Sequence, residues 1–542
     1  MLALNLKRAD KPAISIDEDI LYETISTALG LPYKKIDPLK LDLNLVTKTI
    51  PKNFAMKHLM LPVGMDRGNL VVATSDPLNR EAVTDIERAT SLKVNLIVSS
   101  KSDIEKMIAD FFGFKHSISA AEEQFSRKGV DLGNLEQYVH LSSSDDLPST
   151  DQHIVNAVNH LFTYSFEQRA SDIHVEPKRD TSIVRMRIDG VLHTVYELPK
   201  KVHNAVLSRI KTLSGLNMAE KRRPQDGRIK TEKEGVEVEI RVSTIPVAFG
   251  EKVVMRIMDP DVLFQKLEEL GFEQDDFFKY KKMVQMPHGI ILVTGPTGSG
   301  KSTTLYSTLR MLSSPEVNIV TIEDPIEMIH EDFNQIAVQP AIDVTFGTIL
   351  RNILRQDPDI IMVGEIRDLQ TAQSAVQAAL TGHLVLSTLH TNDTLSTVTR
   401  LLDLGIPPFL IHSSLTGIIA QRLVRGICSN CIETFEIDVR KLHAMGFNIH
   451  NPPETGRVLL KRGKGCVYCR HTGYKGRKGV FEVLPYSEAL KKMTTSDVSL
   501  SDLRMAAQQK GFISLRERAV AKMLRGETTY QEVLRVTWEQ EY

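Results

Sequence analysis

The stretch Gly295-Pro-Thr-Gly-Ser-Gly-Lys-Ser302 fits the phosphate-binding loop pattern G-x-x-x-x-G-K-[ST]. It follows HGIILVT (288–294), a short apolar run suited to a buried parallel strand. It precedes KSTTLYSTLRML (301–312), in which leucines recur at helical spacing. Gly298 and Gly300 permit backbone angles closed to other residues, so their N–H groups can face a phosphate at the positive end of the helix. The stretch therefore predicts a phosphate-binding α/β domain.

The loop residues themselves are expected to carry the nucleotide chemistry. Lys301 would pair with the β- and γ-phosphates of ATP, and the Ser302 hydroxyl would bind Mg²⁺. The alternative is a glycine turn that happens to contain a lysine, and the strand before the loop and the helix after it argue against this alternative. The expected nucleotide-binding set is Gly295, Pro296, Thr297, Gly298, Ser299, Gly300, Lys301, Ser302 and Thr303.

The overall composition is that of a globular protein with several domains. The chain has 542 residues, of which 42% are hydrophobic and 25% are charged. Its formal net charge of −1 gives no global field that favours nucleic acid or an anionic membrane. No apolar stretch approaches about 18 residues, and the first residues carry too short an apolar run for a signal peptide. We therefore expect a cytoplasmic protein.

Changes in pattern along the chain divide it into six segments. Residues 1–113 have the pattern of a small α/β domain with a hairpin at 59–77 and no catalytic cluster, which indicates a docking or regulatory module or a plain structural domain. Residues 114–149 are polar and rich in Ser and Asp, which is typical of a linker. The segments expected after it are a second α/β domain (150–258), the phosphate-loop domain (263–425), a four-cysteine subdomain (426–484) and a helical C-terminal subdomain (485–542).

The second α/β domain combines alternating strands with a group of arginines. In GRIKTEKEGVEVEIRVSTIP (227–246) apolar and polar side chains alternate. Arg228, Arg241 and Arg256 are expected at strands or strand ends. From the residues alone two interpretations stay open. The arginines are either solvated and paired with nearby Glu residues, or they are arginine fingers that stabilise transition-state charge at a nucleotide site.

Downstream of the loop, acidic residues follow two further strand-like runs. VNIVTI (317–322) ends in EDPIE (323–327), and DIIMV (359–363) is followed by Gly364 and Glu365. The second run resembles a Walker B strand, with Glu365 supplying the carboxylate. Because ligands collect at the carboxyl ends of strands in open α/β sheets, these carboxylates are expected to face the loop. One would position or deprotonate the attacking water, and others would hold Mg²⁺ through water.

A histidine stands at each end of a third strand-like run, in GHLVLSTLHTN (382–392). A single histidine is more often structural than catalytic. His383 and His390 together, bracketing a strand expected beside the phosphate loop, indicate a sensor of the γ-phosphate.

The four cysteines of the chain form two CxxC pairs, Cys428 with Cys431 and Cys466 with Cys469. Two such pairs supply four thiolates, enough for a closed tetrahedral Zn²⁺ site, and four cysteines leave no open position for catalysis. Free or redox-active thiols are the alternative. The intervening residues 432–465 are expected to form a hairpin-like insertion with a short helix.

From about residue 150 to the end, the chain closely resembles the type II secretion and type IV pilus assembly ATPases of the secretion ATPase superfamily. The stretches that carry the resemblance, in the family's order, are ASDIHVEP, VRMRIDGVL, RPQDGRI, GPTGSGKSTTLY, TIEDPIE, LRQDPDIIMVGEIRD, AALTGHLVLSTLHTND and the two CxxC pairs. The resemblance implies a multidomain α/β protein: a small N-terminal docking domain, a PAS-like domain, a RecA-like P-loop ATPase domain with a zinc-binding insertion, and C-terminal helices.

The resemblance also implies roles for individual residues. Glu327 matches the catalytic carboxylate, Glu365 the Walker B acid, and His383 and His390 the His box. The matches outside the nucleotide domain are Arg228 and Arg241, as arginines that reach phosphate, and Cys428, Cys431, Cys466 and Cys469, as zinc ligands of secretion and pilus-extension members. Residues 20–112 resemble part of the family's N-terminal module, in which some members bind cyclic di-GMP through a repeated RLG-type motif. No clear RLG is present, so partner docking is the expected role.

The function implied by the resemblance is that of a homohexameric motor that uses ATP, Mg²⁺ and Zn²⁺. It would turn an inner-membrane platform protein, bind a membrane-anchored docking protein, and drive assembly of a pseudopilus for type II secretion; the alternative is type IV pilus extension. A DNA-translocating ATPase is disfavoured by the near-zero net charge and the lack of a basic-aromatic groove, so no nucleic acid partner is expected. A non-hydrolysing scaffold is disfavoured by the intact Lys301, Ser302, Glu327 and Glu365.

Overall fold

The structure is a computed structural model that describes residues 17–37, 41, 43–109, 111–112, 152–233, 235–447, 449 and 456–537. The linker expected at 114–149 lies outside the described residues. Two compact units are distinguished: the first spans Met1–Ile257 with Gly465–His471, and the second spans Met258–Lys464 with Thr472–Tyr542.

The N-terminal part of the first unit contains a three-stranded sheet of β1 (Met60–Asp66), β2 (Asn69–Thr74) and β3 (Val94–Val98). β1 and β2 pair antiparallel and β2 and β3 pair parallel. The turn between β1 and β2 places Arg67 and Gly68 at φ 48° and 85°, and the hairpin predicted at 59–77 is confirmed. Helices pack around a hydrophobic core centred on this sheet. They span Glu18–Ala28, Leu43–Thr49, Lys52–His58, Arg80–Thr90 and 101–109.

The rest of the first unit is a six-stranded sheet in the order β6-β5-β4-β9-β8-β7. The helices Gln152–Glu167 and Lys200–Leu213 supply residues to its hydrophobic core. The strands are β4 (Ala170–Pro177), β5 (Thr181–Ile188), β6 (Val191–Pro199), β7 (Gln225–Lys233), β8 (Val236–Val247) and β9 (Gly250–Met258). The alternation predicted for β8 is confirmed, because Val238, Ile240 and Val242 are buried while residues between them are not.

The second unit is built on a seven-stranded sheet in the order β12-β11-β13-β14-β10-β15-β18. All neighbouring pairs are parallel except β15 with β18. The strands are β10 (Gly289–Thr294), β11 (Ile319–Glu323), β12 (Asn334–Ala337), β13 (Ile360–Val363), β14 (Leu384–Leu389), β15 (Leu415–Ile427) and β18 (Tyr474–Pro485). Every residue of β10, β11, β13 and β14 is buried, as expected for parallel strands covered on both faces.

Helices cover the two faces of this sheet and feed two separate hydrophobic clusters. They span Pro260–Leu263, Gln274–Val284, Lys301–Leu312, Phe346–Ile353, Leu369–Leu380, Thr394–Asp403 and Pro408–Ser414. Four more helices follow β18, over Glu488–Met493, Leu500–Gln508, Leu515–Leu524 and Tyr530–Thr537. Gly511 and Gly526, predicted as helix stops, both have φ 74°, a value that favours glycine. Among the described residues, no helix has both the length and the apolar character needed to span a bilayer.

The insertion between the cysteine pairs has the predicted form, with a hairpin of β16 (Ile432–Asp438) and β17 (Arg457–Gly463) and a short helix at Val439–Ala444. Its limits differ from the expected subdomain 426–484. The expected boundary at 425/426 falls inside β15, and β18 belongs to the main sheet, where it pairs with β15 along most of its length. The two strands are far apart in the sequence, so no local pattern indicates that they pair.

Candidate nucleotide site

The predicted phosphate loop lies at the carboxyl edge of the seven-stranded sheet. Thr294, the last residue of β10, is level with Leu389 of β14 and Ala420 of β15. The residues that follow β11, β13 and β14 therefore emerge at the same edge as the loop. This is the edge where open α/β sheets bind ligands.

The loop takes its shape from its glycines and from its neighbours on β15. Gly298 and Gly300 have φ 78° and 91°, and Gly300 caps the helix Lys301–Leu312. A Cβ on Gly295 would lie 2.5 Å from the carbonyl oxygen of Gln421, so the backbones approach too closely for any side chain. The loop apex, from Pro296 to Gly298, is exposed. The first helical turn, Lys301 to Thr303, is half-buried and presents its N–H groups to the same space.

The side chain of Lys301 is held in place by backbone carbonyl groups of the loop. Its Nζ donates to the carbonyl oxygens of Gly295, at 2.8 Å, and of Pro296, at 3.3 Å. Burial lowers the pKa of Lys301 to about 8; Glu365 opposes the shift and Arg422 adds to it. The ammonium is therefore positioned where a phosphate would replace weak carbonyl contacts with an ion pair.

The acidic segment after β11 is anchored by Glu323, whose side chain is only 3% exposed. Its carboxylate accepts hydrogen bonds from the Tyr306 hydroxyl at 2.6 Å, the Thr321 hydroxyl at 2.7 Å and Gln335 Nε2 at 3.2 Å. The backbone N–H of Glu327 donates to the same carboxylate at 3.3 Å. Glu323 is thus a structural carboxylate, and the half-buried Glu327 is the one it positions.

Glu365 lies after β13 with its side chain 15% exposed. Its carboxylate forms an ion pair with Arg367 through one oxygen and lies 3.3 Å from His390 Nε2 through the other. This ion pair raises the pKa of Arg367. His390 follows β14, so the structure brings Glu365, His390 and Lys301 to the same edge of the sheet.

The two histidines of the predicted sensor lie at opposite edges of the sheet. His383 precedes β14, and its carbonyl oxygen accepts from the N–H of Gly289 at the start of β10. Its Nδ1 donates to the Ala378 carbonyl oxygen at 2.8 Å. The six residues of β14 separate the histidines by roughly 20 Å. Of the two histidines predicted to form a γ-phosphate sensor, only His390 therefore lies at the edge of the sheet that carries the loop, because a strand holds its two ends apart.

Arg228 and Arg241 lie opposite each other on β7 and β8 of the first unit. Both reach the same oxygen of Glu239, with Arg228 Nη1 at 3.8 Å and Arg241 Nε at 3.7 Å. Two guanidinium groups thus approach one carboxylate oxygen.

The sequence did not predict a role for three residues at the candidate nucleotide site: Tyr306, Arg367 and Arg422. Tyr306 was seen only as part of a helix and Arg367 only as part of the Walker B stretch. Arg422 is on β15, and only the adjacency of β15 to β10 brings it near the loop. No local signal in the sequence marks that adjacency.

The four cysteines come together as predicted. Their sulfur atoms all lie within 4.8 Å of one another, and Cys466 Sγ and Cys469 Sγ are 3.7 Å apart. Zn–S bonds of about 2.3 Å in a tetrahedron imply S···S distances of about 3.8 Å. Cys428 and Cys469 are fully buried. The donor set therefore fits a structural zinc ion.

Comparisons with known proteins agree with this architecture. Residues 148–535 match the family described as type II/IV secretion system protein, and residues 29–118 match the MshEN domain. The type IV pilus assembly ATPase TfpB of Acinetobacter baylyi is 44% identical over 520 residues, which cover 95% of this chain and 88% of that protein. The type II secretion system ATPase E of Vibrio cholerae is 40% identical over 501 residues, which cover 91% and 97%.

A solved structure shares the fold. The ATPase DotB of Legionella pneumophila superposes with a TM-score of 0.53 at 22% identity, over 70% of this chain and 94% of that one. The multidomain α/β fold class expected from the sequence is confirmed. The chain therefore belongs to the type II/IV secretion system protein family, as its motifs predicted, and is a motor ATPase for secretion or pilus assembly.

Proposed function

We propose that the chain binds Mg²⁺ and ATP at the phosphate loop and hydrolyses ATP with Glu327 as the carboxylate that activates water. The observation that carries this proposal is the convergence of Lys301, Glu365 and His390 on one edge of the sheet. Lys301 pairs with the β- and γ-phosphates, and residues 295–303 hold the phosphate chain. Ser302 and Glu365 hold Mg²⁺, which neutralises phosphate charge when bound. His390, in contact with Glu365, senses the γ-phosphate.

The motor is proposed to work as a homohexamer. Arg228 and Arg241 then act as arginine fingers toward a nucleotide, a role supported by their positions opposite each other on β7 and β8. His383, at the amino edge of the sheet, has no part in the protomer's own site. The cysteine tetrad holds one structural Zn²⁺, supported by the spacing of its four sulfurs.

The filament that the motor assembles is proposed to be the pseudopilus of a type II secretion system, built at the inner membrane. A type IV pilus is the second candidate. The observation in its favour is the higher identity to a pilus assembly ATPase, 44% against 40% for a type II secretion ATPase.

The membrane contacts are proposed to be made through partners, with the motor on the cytoplasmic face. The N-terminal domain, whose residues match the MshEN domain, docks on a membrane-anchored protein of the machine. Domain rotation driven by ATP turns the platform protein of the inner membrane. No nucleic acid takes part.

Deletion of the gene in its source bacterium tests the proposal. The deletion strain is scored for surface pili and for secreted proteins, and then complemented with wild type, Lys301→Ala or, as a matched control, Lys281→Ala. Lys281 is exposed on the helix Gln274–Val284. Loss of secreted proteins with pili intact supports the pseudopilus, and loss of pili with secretion intact supports the second candidate. Rescue by Lys301→Ala contradicts an ATP-driven role.

A further inference from the structure

Arg422 borders the phosphate loop from the side of β15. The preceding residues, Ala420 and Gln421, lie beside Thr294 and Gly295. Arg422 Nη1 lies 3.2 Å from the position that a Cβ on Gly295 would occupy. The guanidinium therefore lies along one side of the phosphate loop.

Among the described residues, the hydrogen bonds of this guanidinium go to neutral acceptors. Nη1 donates to the Gln421 carbonyl oxygen at 3.3 Å, and Nη2 donates to the backbone and side-chain oxygens of Asn392, both at 3.2 Å. Within the described part of the chain, no Asp or Glu lies at ion-pair distance from Arg422, and Asp393 and Glu482 attract it only from further away. Arg425, three residues further on, instead makes two hydrogen bonds to buried Glu532. Arg422 is thus a half-buried cation with no carboxylate in direct contact, and burial of such a charge is unfavourable unless an anion binds.

The guanidinium of Arg422 and the ammonium of Lys301 are close enough to repel each other. Burial lowers the pKa of Arg422, and Arg422 in turn helps to lower the pKa of Lys301. The phosphate loop is therefore flanked by two cations, Arg422 and Lys301. A bound phosphate chain would neutralise both.

The strand order decides which part of the nucleotide Arg422 meets. Glu365 follows β13 and His390 follows β14, both on one side of β10, whereas Arg422 is on β15 at the other side. With the γ-phosphate toward Glu365 and His390, the opposite flank of the loop faces the remainder of the phosphate chain.

We propose that Arg422 is a nucleotide-binding residue that contacts a phosphate shared by ATP and ADP, on the flank of the loop opposite Glu365. This inference rests on the proposed nucleotide site. A charge-assisted contact of this kind is expected to contribute about ten- to hundredfold to affinity. Because ATP and ADP share the contact, its loss weakens the binding of both nucleotides alike.

The test compares Arg422→Gln and Arg422→Lys with Arg400→Gln in the full-length protein. Arg400 is exposed near the end of the helix Thr394–Asp403 and serves as the control for charge. Titration with ATP and ADP should show both nucleotides weakened about ten- to hundredfold by Arg422→Gln and less by Arg422→Lys.

Unchanged affinity in Arg422→Gln would overturn the inference, and so would a fall in kcat with the affinities intact, since that result assigns Arg422 to positioning Asn392. Lys301→Ala separates this failure from that of the proposed site. If Lys301→Ala also binds ATP normally, the loop is not the nucleotide site. If Lys301→Ala loses binding while Arg422→Gln keeps it, only the assignment of Arg422 fails.

Discussion

The Tyr306 hydroxyl donates a 2.6 Å hydrogen bond to Glu323 Oε2, and so connects the phosphate-loop helix to the acidic segment after β11. Glu323 Oε2 also accepts from the backbone N–H of Glu327. The proposed water-activating carboxylate is therefore positioned, through one buried side chain, by the helix whose first turn is proposed to bind the phosphates. Burial and the neighbouring Glu323 raise the pKa of Tyr306, so its hydroxyl keeps the proton that it donates.

Tyr306→Phe is expected to lower kcat severalfold with little change in KM for ATP, because it loosens Glu323 and with it Glu327. The lost hydrogen bond should also cost about 1 kcal/mol of unfolding free energy. Tyr280→Phe is the matched control, since the Tyr280 hydroxyl is equally buried and bonds Thr308 on the same helix at 2.6 Å. Steady-state ATPase kinetics and thermal unfolding separate the two effects. Equal losses of kcat in both variants would mean that only packing of the helix matters.

Nucleotide affinity should fall as the pH rises above about 8. Lys301 has a folded pKa lowered to about 8 from 10.5, so the unliganded loop loses its charge above that pH. Bound phosphates raise this pKa, and binding at pH 9 therefore takes up a proton. The affinity should weaken by up to about tenfold per pH unit in this window. Calorimetry in buffers of different ionisation enthalpy measures the uptake directly, and Lys301→Arg, charged throughout, should show none.

Glu327→Gln is expected to bind ATP as wild type does and to lose turnover by about 10²–10⁴-fold, because it removes the water-activating carboxylate and spares the loop. Glu323→Gln should behave differently. It replaces a buried acceptor of four hydrogen bonds by an amide that cannot accept all of them, so its main effect is on stability. Loss of ATP binding in Glu327→Gln would reassign Glu327 to holding the metal.

The sequence predicted those parts of the site that are local in the chain. The strand, glycine loop and helix around Lys301 follow one another directly, and their residue types specify their conformation. The hairpin between the cysteine pairs was predictable for the same reason. The role of Glu323 was not, because its partner Tyr306 is on another element and only the fold brings them together. His383 and His390 were predicted as a pair, but the six-residue strand between them places only His390 at the edge of the sheet that carries the loop.

Removal of the proposed zinc ligands should destabilise the insertion and leave the phosphate loop intact. The four sulfurs come from two CxxC pairs, and the pairs are joined by a hairpin with a small core that continues into the C-terminal helices. We expect about one zinc per chain by elemental analysis of freshly reduced protein. Cys428→Ser should lower the zinc content and the melting temperature while keeping the affinity for ATP, since the cysteines and the loop belong to different structural elements.

Ser429→Ala, which changes an exposed residue next to Cys428, is the control. Absence of zinc from the wild-type protein, or a melting temperature unchanged by Cys428→Ser, would show that the thiols are free and that the tetrad's geometry is not a metal site.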